Sequence, residues 1–228
     1  MQIFCDFDGT ISSKDATDFI LSRFADPEWR QIEEQWRNGD IGSARCMRKQ
    51  IALIRASRQQ LDAALDEIEI DSTFPTFVNF CRSQKLSPSV ISDGVDYFIQ
   101  RILARHRLPP LRVIANRLIM EIDGGQTSYR LSTPHASGAC ASGAGVCKCR
   151  FVCHRSDVCV YIGDGRSDFC VANLPDLVFA KGALAEFCVQ QDIMFIPFQR
   201  FSDVTAALSK TLPSFPAPSQ NTWARACA

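Results

Sequence analysis

The chain opens Met1–Asp15 as MQIFCDFDGTISSKD, and Val160–Cys170 reads VYIGDGRSDFC. Each stretch is a short apolar run that ends in acids, Asp6 and Asp8 in the first, Asp164 and Asp168 in the second. Residues 2 to 6 and 157 to 163 thus read as strands. Similar β-rich runs stand at 88 to 92 (PSVIS), 112 to 116 (RVIAN) and 176 to 179 (DLVF), with stretches of helical period between them. Strands alternating with helices predict an α/β fold with a parallel sheet covered on both faces. Ligands of such sheets sit beyond the carboxyl ends of the strands, so Asp6, Ser92 and Asp164 should converge on one crevice.

Residues 13 to 73 break the alternation, because they contain no strand and several helices in succession. One helix is expected to begin at Asp26 with Pro27 in its first turn, to carry Trp29, Ile32 and Trp36 on one face and to stop at Gly39. Another starts near Ser43, with Cys46, Met47, Ile51 and Ile54 as its apolar stripe. A third starts at Ser57, where Gln60 completes a capping box and Leu61, Leu65 and Ile68 face inward. The expected division is therefore a core of residues 1–12 and 74–211, a helical insert of residues 13–73, and a Pro-rich tail, 212–228, too poor in apolar residues to pack tightly. The core resumes with a helix near Ser72 and Pro75. Residues 117 to 135 predict a hairpin around Gly124 and Gly125, followed by a small-residue loop from 136 to 146.

Composition narrows the chemistry. Of 228 residues 46% are hydrophobic and 22% charged, and 25 Lys plus Arg balance 25 Asp plus Glu. No global field exists to hold a nucleic-acid backbone or an anionic membrane, so any anion must be recognised locally. The first residues lack the basic start of a secretory signal, and no run of 18 apolar residues occurs, so a cytoplasmic protein is expected. The 11 cysteines are odd in number and scattered, which reads as reduced thiols. Cys140, Cys147, Cys149 and Cys153 cluster around Lys148, but their spacing departs from that of structural zinc sites. His106, His135 and His154 stand in no motif.

Asp6 and Asp8 leave an extended chain on the same side. Two such carboxylates repel, and unless a cation joins them one must take up a proton. Clustered carboxylates without a neighbouring histidine favour a hard cation, and magnesium fits best. An EF-hand loop counted from Asp6 fails, since its glycine and glutamate positions hold Ile11 and Thr17.

Taken together, DFDGT (Asp6 to Thr10), ISDG (Ile91 to Gly94), the Lys148 of VCKC and GDGRSD (Gly163 to Asp168) resemble, in order, the motifs of the haloacid dehalogenase (HAD) superfamily of phosphohydrolases. The resemblance covers roughly residues 1 to 205. It implies a Rossmann-like core with a helical cap, of the type inserted after the first strand, and places the chain nearest the phosphoserine-phosphatase-like branch. It also implies roles. Asp6 would be the nucleophile that forms an aspartyl-phosphate, and Asp8 the general acid and base. Asp6, the Asp8 carbonyl and Asp164 would hold Mg2+. Ser92, the N–H groups of Asp93 and Gly94, and Lys148 would bind phosphate, with Gly9, Thr10 and Asp168 in support. The cap's inner face would read the substrate through residues such as Asp15, Asp18, Trp36, Arg45 and Arg48.

WRQIEEQWRNGDIGSARCM, SDGVDYFI, GVCKC and VFAKGALAEFC further resemble the methionine-salvage phosphatases that act on 2-hydroxy-3-keto-5-methylthiopentenyl 1-phosphate. A small-molecule phosphate ester is the expected partner of a monomer or homodimer, with no nucleic acid or membrane. Phosphoserine, phosphocholine or phosphoethanolamine are alternative substrates, phosphomutase is an alternative reaction, and a non-catalytic binding module is the alternative from another class.

Overall fold

The computed structural model describes residues 1–124, 126–140, 142–152 and 158–211. The expectations for the tail 212–228, for Cys153 and for His154 lie outside the described residues. Strand β1 (Gln2–Cys5) is followed by four helices, α1 (Ala16–Phe24), α2 (Trp29–Arg37), α3 (Ser43–Ile51) and α4 (Arg58–Leu65). Then come α5 (Phe74–Ser83), β2 (Pro88–Val95), α6 (Asp96–Ala104), β3 (Arg112–Asp123) and β4 (Gln126–Ser132). The last part holds α7 (Cys149–Val152), β5 (Cys159–Gly163), a 3-10 helix over Arg166–Val171, β6 (Leu177–Ala180), α8 (Gly182–Gln190), β7 (Ile196–Pro197) and α9 (Phe201–Thr211).

One sheet contains the strands in the order β4-β3-β2-β1-β5-β6-β7, all parallel except β4, which runs antiparallel to β3. The strand order reverses around β1, so a crevice opens beyond its carboxyl end. Register puts the right residues there: Cys5 pairs with Val90 on one side and Ile162 on the other, so Asp6, Ser92 and Asp164 emerge side by side. β1 and β5 read as continuous apolar runs because both of their faces are covered, and every residue of β5 is buried. β3 is longer than the expected run. Its first residues pair with β2, and the remainder forms the predicted hairpin with β4. β7 has only two residues, too few for a pattern to reveal.

The helical insert leaves and rejoins the core at one place. Ser12 bridges Ile70, Ser13 N–H donates to Glu69 O at 2.9 Å, and Asp71 N–H donates to Ile11 O at 2.8 Å. The insert has no separate hydrophobic core: Ile20, Leu21, Ile51, Leu61 and Leu65 belong to the same buried cluster as Val90, Phe98 and Ile102. Polar ties add to that packing, with Tyr97 Oη donating to Asp62 at 2.5 Å and Arg101 forking onto Asp66. The stem also caps α9, because Asp71 and Thr73 accept the N–H groups of Phe201 and Ser202. Phe201 then stacks edge-on against Phe74 at 4.7 Å between ring centres.

Helix starts follow local chemistry, with one correction. The segment expected to begin at Asp26 turns helical only at Trp29; Asp26 accepts the Glu28 N–H, and Pro27 lies in the preceding turn. It ends as expected before Gly39, whose φ of +83° favours glycine. At α4 the capping box is present: Ser57 Oγ accepts from Gln60 N–H, and Gln60 Oε1 accepts from Ser57 N–H. Ser57→Ala should therefore cost about 1 kcal/mol. A fall of about 2–4 °C in the thermal midpoint would register it. Among the described residues no helix is long and apolar enough to cross a membrane.

Candidate active site

Beyond β1 the chain turns sharply, with the N–H groups of Thr10, Ile11 and Ser12 all donating to Phe7 O. The turn needs Gly9: its φ is +75°, and a Cβ there would run into the Asp164 carboxylate. Thr10 Oγ1 donates to Asp164 Oδ1 at 2.5 Å, which ties the two acidic motifs together across 154 residues of sequence. Asp8 Oδ1 accepts the Ala16 N–H at 2.8 Å, at the amino end of α1. Asp15, the N-cap of that helix, accepts from Asp18 N–H.

The buried Lys148 sits under Asp6. Its ammonium donates to Asp6 Oδ1 at 2.9 Å, Ser167 Oγ at 3.0 Å and Asp168 Oδ1 at 2.5 Å, which engages all three of its N–H donors. Asp168, 0% exposed, is held in turn by Tyr161 Oη at 2.5 Å and by the N–H groups of Asp164 and Gly165. It therefore orients Lys148 and the acidic loop together. Burial alone would lower the Lys148 pKa, but the carboxylates of Asp168 and Asp6 outweigh it and hold the ammonium charged. Directly after Lys148 the chain turns helical as α7 (Cys149–Val152).

β2 runs on past the expected end at Ser92 to Val95, with its pairing to β3 interrupted between Ile91 and Val95. Within that irregular stretch Ser92 Oγ accepts the Gly94 N–H at 2.9 Å. Gly94 itself packs against Asp8, where a side chain would collide with the carboxylate. The Asp93 carboxylate binds α3, β3 and the segment before Lys148.

A cavity of about 350 Å³ connects these groups to the helical insert. Asp6, Asp8, Ser92, Asp93, Gly94 and Asp164 form its floor. Asp15, Asp18 and Trp36 line its roof as expected, but Arg45 and Arg48 do not. α3 buries Ala44, Cys46, Gln50 and Ile51, which turns Arg45 to solvent, while Arg48 reaches Thr133 at the end of β4. Positive charge at the cavity comes instead from Arg37 and Arg166, and the Arg166 guanidinium stands 5.4 Å from the centre of the Trp36 ring. Sequence reading missed these two residues, together with Tyr161, Ser167, Ser43 and Asn116. Arg166 and Ser167 lie inside GDGRSD and could have been marked from the motif; the others carry no local signal.

Among the described cysteines around Lys148, Cys140 Sγ lies 3.3 Å from Ser142 Oγ and also interacts with the Cys147 thiol, while Cys149 Sγ donates to Cys170 O. His135 packs edge-on against Phe151.

The donor set suits a hard cation. Asp6, Asp164 and Asp168 bring oxygen atoms within 4.8 Å of one another. Asp168 is already occupied by its own donors, so Asp6 and Asp164 remain the ligands at hand. Burial, added to by the charge of Asp168, pushes Asp6 up to about 8 despite Lys148. Burial also raises Asp8, with Asp15 as the next cause, and raises Asp164 against the Thr10 hydrogen bond. These acids need either protons or a cation.

Fold and site together define a phosphatase of the HAD fold. A phospho-aspartyl intermediate analogue of phosphoserine phosphatase superposes with a TM-score of 0.64 at 18% identity, covering 94% of this chain and 98% of that one. A HAD-family hydrolase from Salmonella enterica serovar Typhi gives 0.67 at 19% identity, over 90% of this chain and 69% of that one. Residues 1–182 match the family described as "Putative Phosphatase", and the chain belongs to that family. It is 30% identical over 217 residues to the 2-hydroxy-3-keto-5-methylthiopentenyl-1-phosphate phosphatase of Brevibacillus brevis, covering 92% of this chain and 96% of that one. The protein of the same name from Exiguobacterium sp. is 29% identical over 211 residues, 90% of this chain and 95% of that one.

Proposed function

We propose that this phosphatase hydrolyses a small phosphorylated metabolite in the cytoplasm through an aspartyl-phosphate on Asp6, with magnesium as cofactor and residues 13–73 as the cap over the site. One observation carries the reading: the Asp6 carboxylate lies 2.9 Å from the buried Lys148 ammonium and shares the cavity floor with Asp8, Ser92 and Asp164. A merely structural acid would not need a buried lysine, a second raised carboxylate and a hydroxyl turn around it.

Phosphate-ester hydrolysis needs acceleration approaching about 10²¹-fold, and covalent catalysis divides the barrier. An Asp6 oxygen attacks phosphorus, the bond to the ester oxygen breaks, and Asp8 gives that oxygen its proton. Water then attacks phosphorus while Asp8 takes a proton from it, the bond to Asp6 breaks, and inorganic phosphate leaves. Burial keeps Asp8 protonated for the first step. Ser92 Oγ, held by the Gly94 N–H, and the Asp93 N–H would meet the phosphoryl oxygens, and Lys148 would place a fixed positive charge beside them. Bound by Asp6, Asp164 and the Asp8 carbonyl, magnesium would supply neutralisation of the repulsion between nucleophile and phosphate.

Chelation is expected to abolish phosphate release, and added Mg2+ to restore it. Raised carboxylate pKa values mean that the folded protein binds more protons than the unfolded chain between about pH 4 and 8, so metal-free stability falls as pH rises through that window. Magnesium competes with those protons, and it should raise the thermal midpoint more at pH 8 than at pH 5.

2-Hydroxy-3-keto-5-methylthiopentenyl 1-phosphate is the substrate that the curated relatives favour. The roof of the cavity supports a second reading, since Asp15, Asp18 and Glu33 line it and would suit the ammonium of phosphoserine, phosphocholine or phosphoethanolamine. A phosphate-release panel separates them. The first reading requires kcat/KM at least about tenfold higher for the methylthiopentenyl ester; a preference for any of the three amines overturns it. Turnover without a bisphosphate activator distinguishes hydrolysis from a mutase.

A further inference from the structure

The Asp93 side chain does something that phosphate binding does not ask of it. Its Oδ2 accepts the Ser43 hydroxyl at 2.5 Å from the first turn of α3, in the insert. Its Oδ1 accepts the Val146 N–H at 2.9 Å and the Asn116 amide at 3.2 Å, both from the core. Asn116, fully buried on β3, also donates to the Asp93 carbonyl at 2.5 Å, so the residue is gripped by side chain and backbone at once. Two residues after Asp93's partner Val146 comes Lys148, and one residue either side of Asp93 stand Ser92 and Gly94.

A second contact joins the same surfaces. Ala44 N–H donates to Gly143 O at 3.0 Å, and Gly42 lies so close to Gly143 that a Cβ on Gly42 would meet its oxygen at 3.1 Å. Gly145 is pressed on Asn116 with no room for a side chain. The amino end of α3 therefore seats on segment 143–146 and on Asp93 together, over the cavity.

We propose that Asp93 is a positioning residue that couples the seating of the cap to the geometry of the phosphate loop 92–94, with Ser43 as its counterpart on α3. The proposal rests on the reading of residues 92–94 as the phosphate cradle. Seating the cap fixes the Asp93 carboxylate, and with it the peptides on either side and the segment leading to Lys148. When Ser43 disengages, the competent arrangement is one of several, and apparent affinity falls by the fraction populated.

Ser43→Ala tests the coupling without touching the groups assigned to chemistry. With p-nitrophenyl phosphate, KM should rise about tenfold or more, as expected for loss of a hydrogen bond to a charged group, while kcat stays within about twofold. Inorganic phosphate should inhibit correspondingly less well. Ser43→Thr, which keeps the hydroxyl, should return both constants to near wild type. Asp93→Asn, which disturbs three ties, should lower kcat as well. Hydrogen exchange at residues 43–47 and 142–147 should quicken in Ser43→Ala beyond the change elsewhere in the chain, with the thermal midpoint lowered by only a few degrees. Wild-type KM, phosphate inhibition and exchange in Ser43→Ala would overturn the proposal. Failure of the phosphatase reading looks different: the wild-type protein would then be inert toward every ester, while inorganic-phosphate binding and exchange would still report on Ser43.

Discussion

Asp6→Asn is expected to lower phosphate release by on the order of 10⁴- to 10⁶-fold, the scale seen when a covalent nucleophile is removed and binding groups remain. The amide is isosteric and keeps an oxygen to accept from Lys148, so the shape of the site survives while the attacking carboxylate does not. Stability should hold or improve. Asp6 is buried and its pKa pushed up to about 8, which means that ionising it already costs the folded state. Phosphate release and thermal unfolding measured on the same preparation decide the matter: a folded Asp6→Asn protein with wild-type turnover rules the mechanism out. Asp8→Asn should behave otherwise, with a loss of about 10²- to 10⁴-fold for alkyl esters. With p-nitrophenyl phosphate, whose leaving group needs no proton, it should release a burst of nitrophenol and then stall at the second step.

The meeting of Asp6, Asp8, Ser92 and Asp164 at one cavity was legible because each follows a short apolar run where the sequence turns polar. Parallel-sheet geometry then brings boundaries together however distant they are in sequence. The capping box at Ser57 was legible for a similar reason, being a contact between residues three apart. What escaped depends on long-range pairing. Tyr161 sits in an apolar strand and looks like core, and only the fold shows its hydroxyl against Asp168. Ser43 and Asn116 are ordinary polar residues until α3 is seated on Asp93. Arg45 was misplaced by helix phase: the buried face of α3 runs through Ala44, Cys46 and Ile51, and a residue between them must turn outward. Charge next to a motif thus proved a weaker guide than the direction in which a helix faces.

Lys148→Met should cut phosphate release by about 10²- to 10³-fold, the usual effect of losing one preorganised group that stabilises the transferring charge. It should also destabilise the fold, which separates Lys148 from a surface lysine that merely attracts anions. The residue is 1% exposed and lies between Asp6 and the fully buried Asp168. Removing one partner from such a buried arrangement leaves uncompensated charge and costs about 3–5 kcal/mol. Part of that cost can be escaped by protonation. Without the ammonium, which lowers it in the wild type, the folded-state pKa of Asp6 climbs further, so the folded variant holds a proton that the unfolded chain releases. Its stability must then fall as pH rises above the unfolded carboxylate value of about 4. The gap between wild type and variant should accordingly be small at pH 5 and widest near pH 8, in chelator, where no cation can substitute. Thermal unfolding at both pH values measures it, and a Lys148→Met protein that melts with the wild type at pH 8 would show that the Asp6–Lys148–Asp168 arrangement is not the charged unit described above.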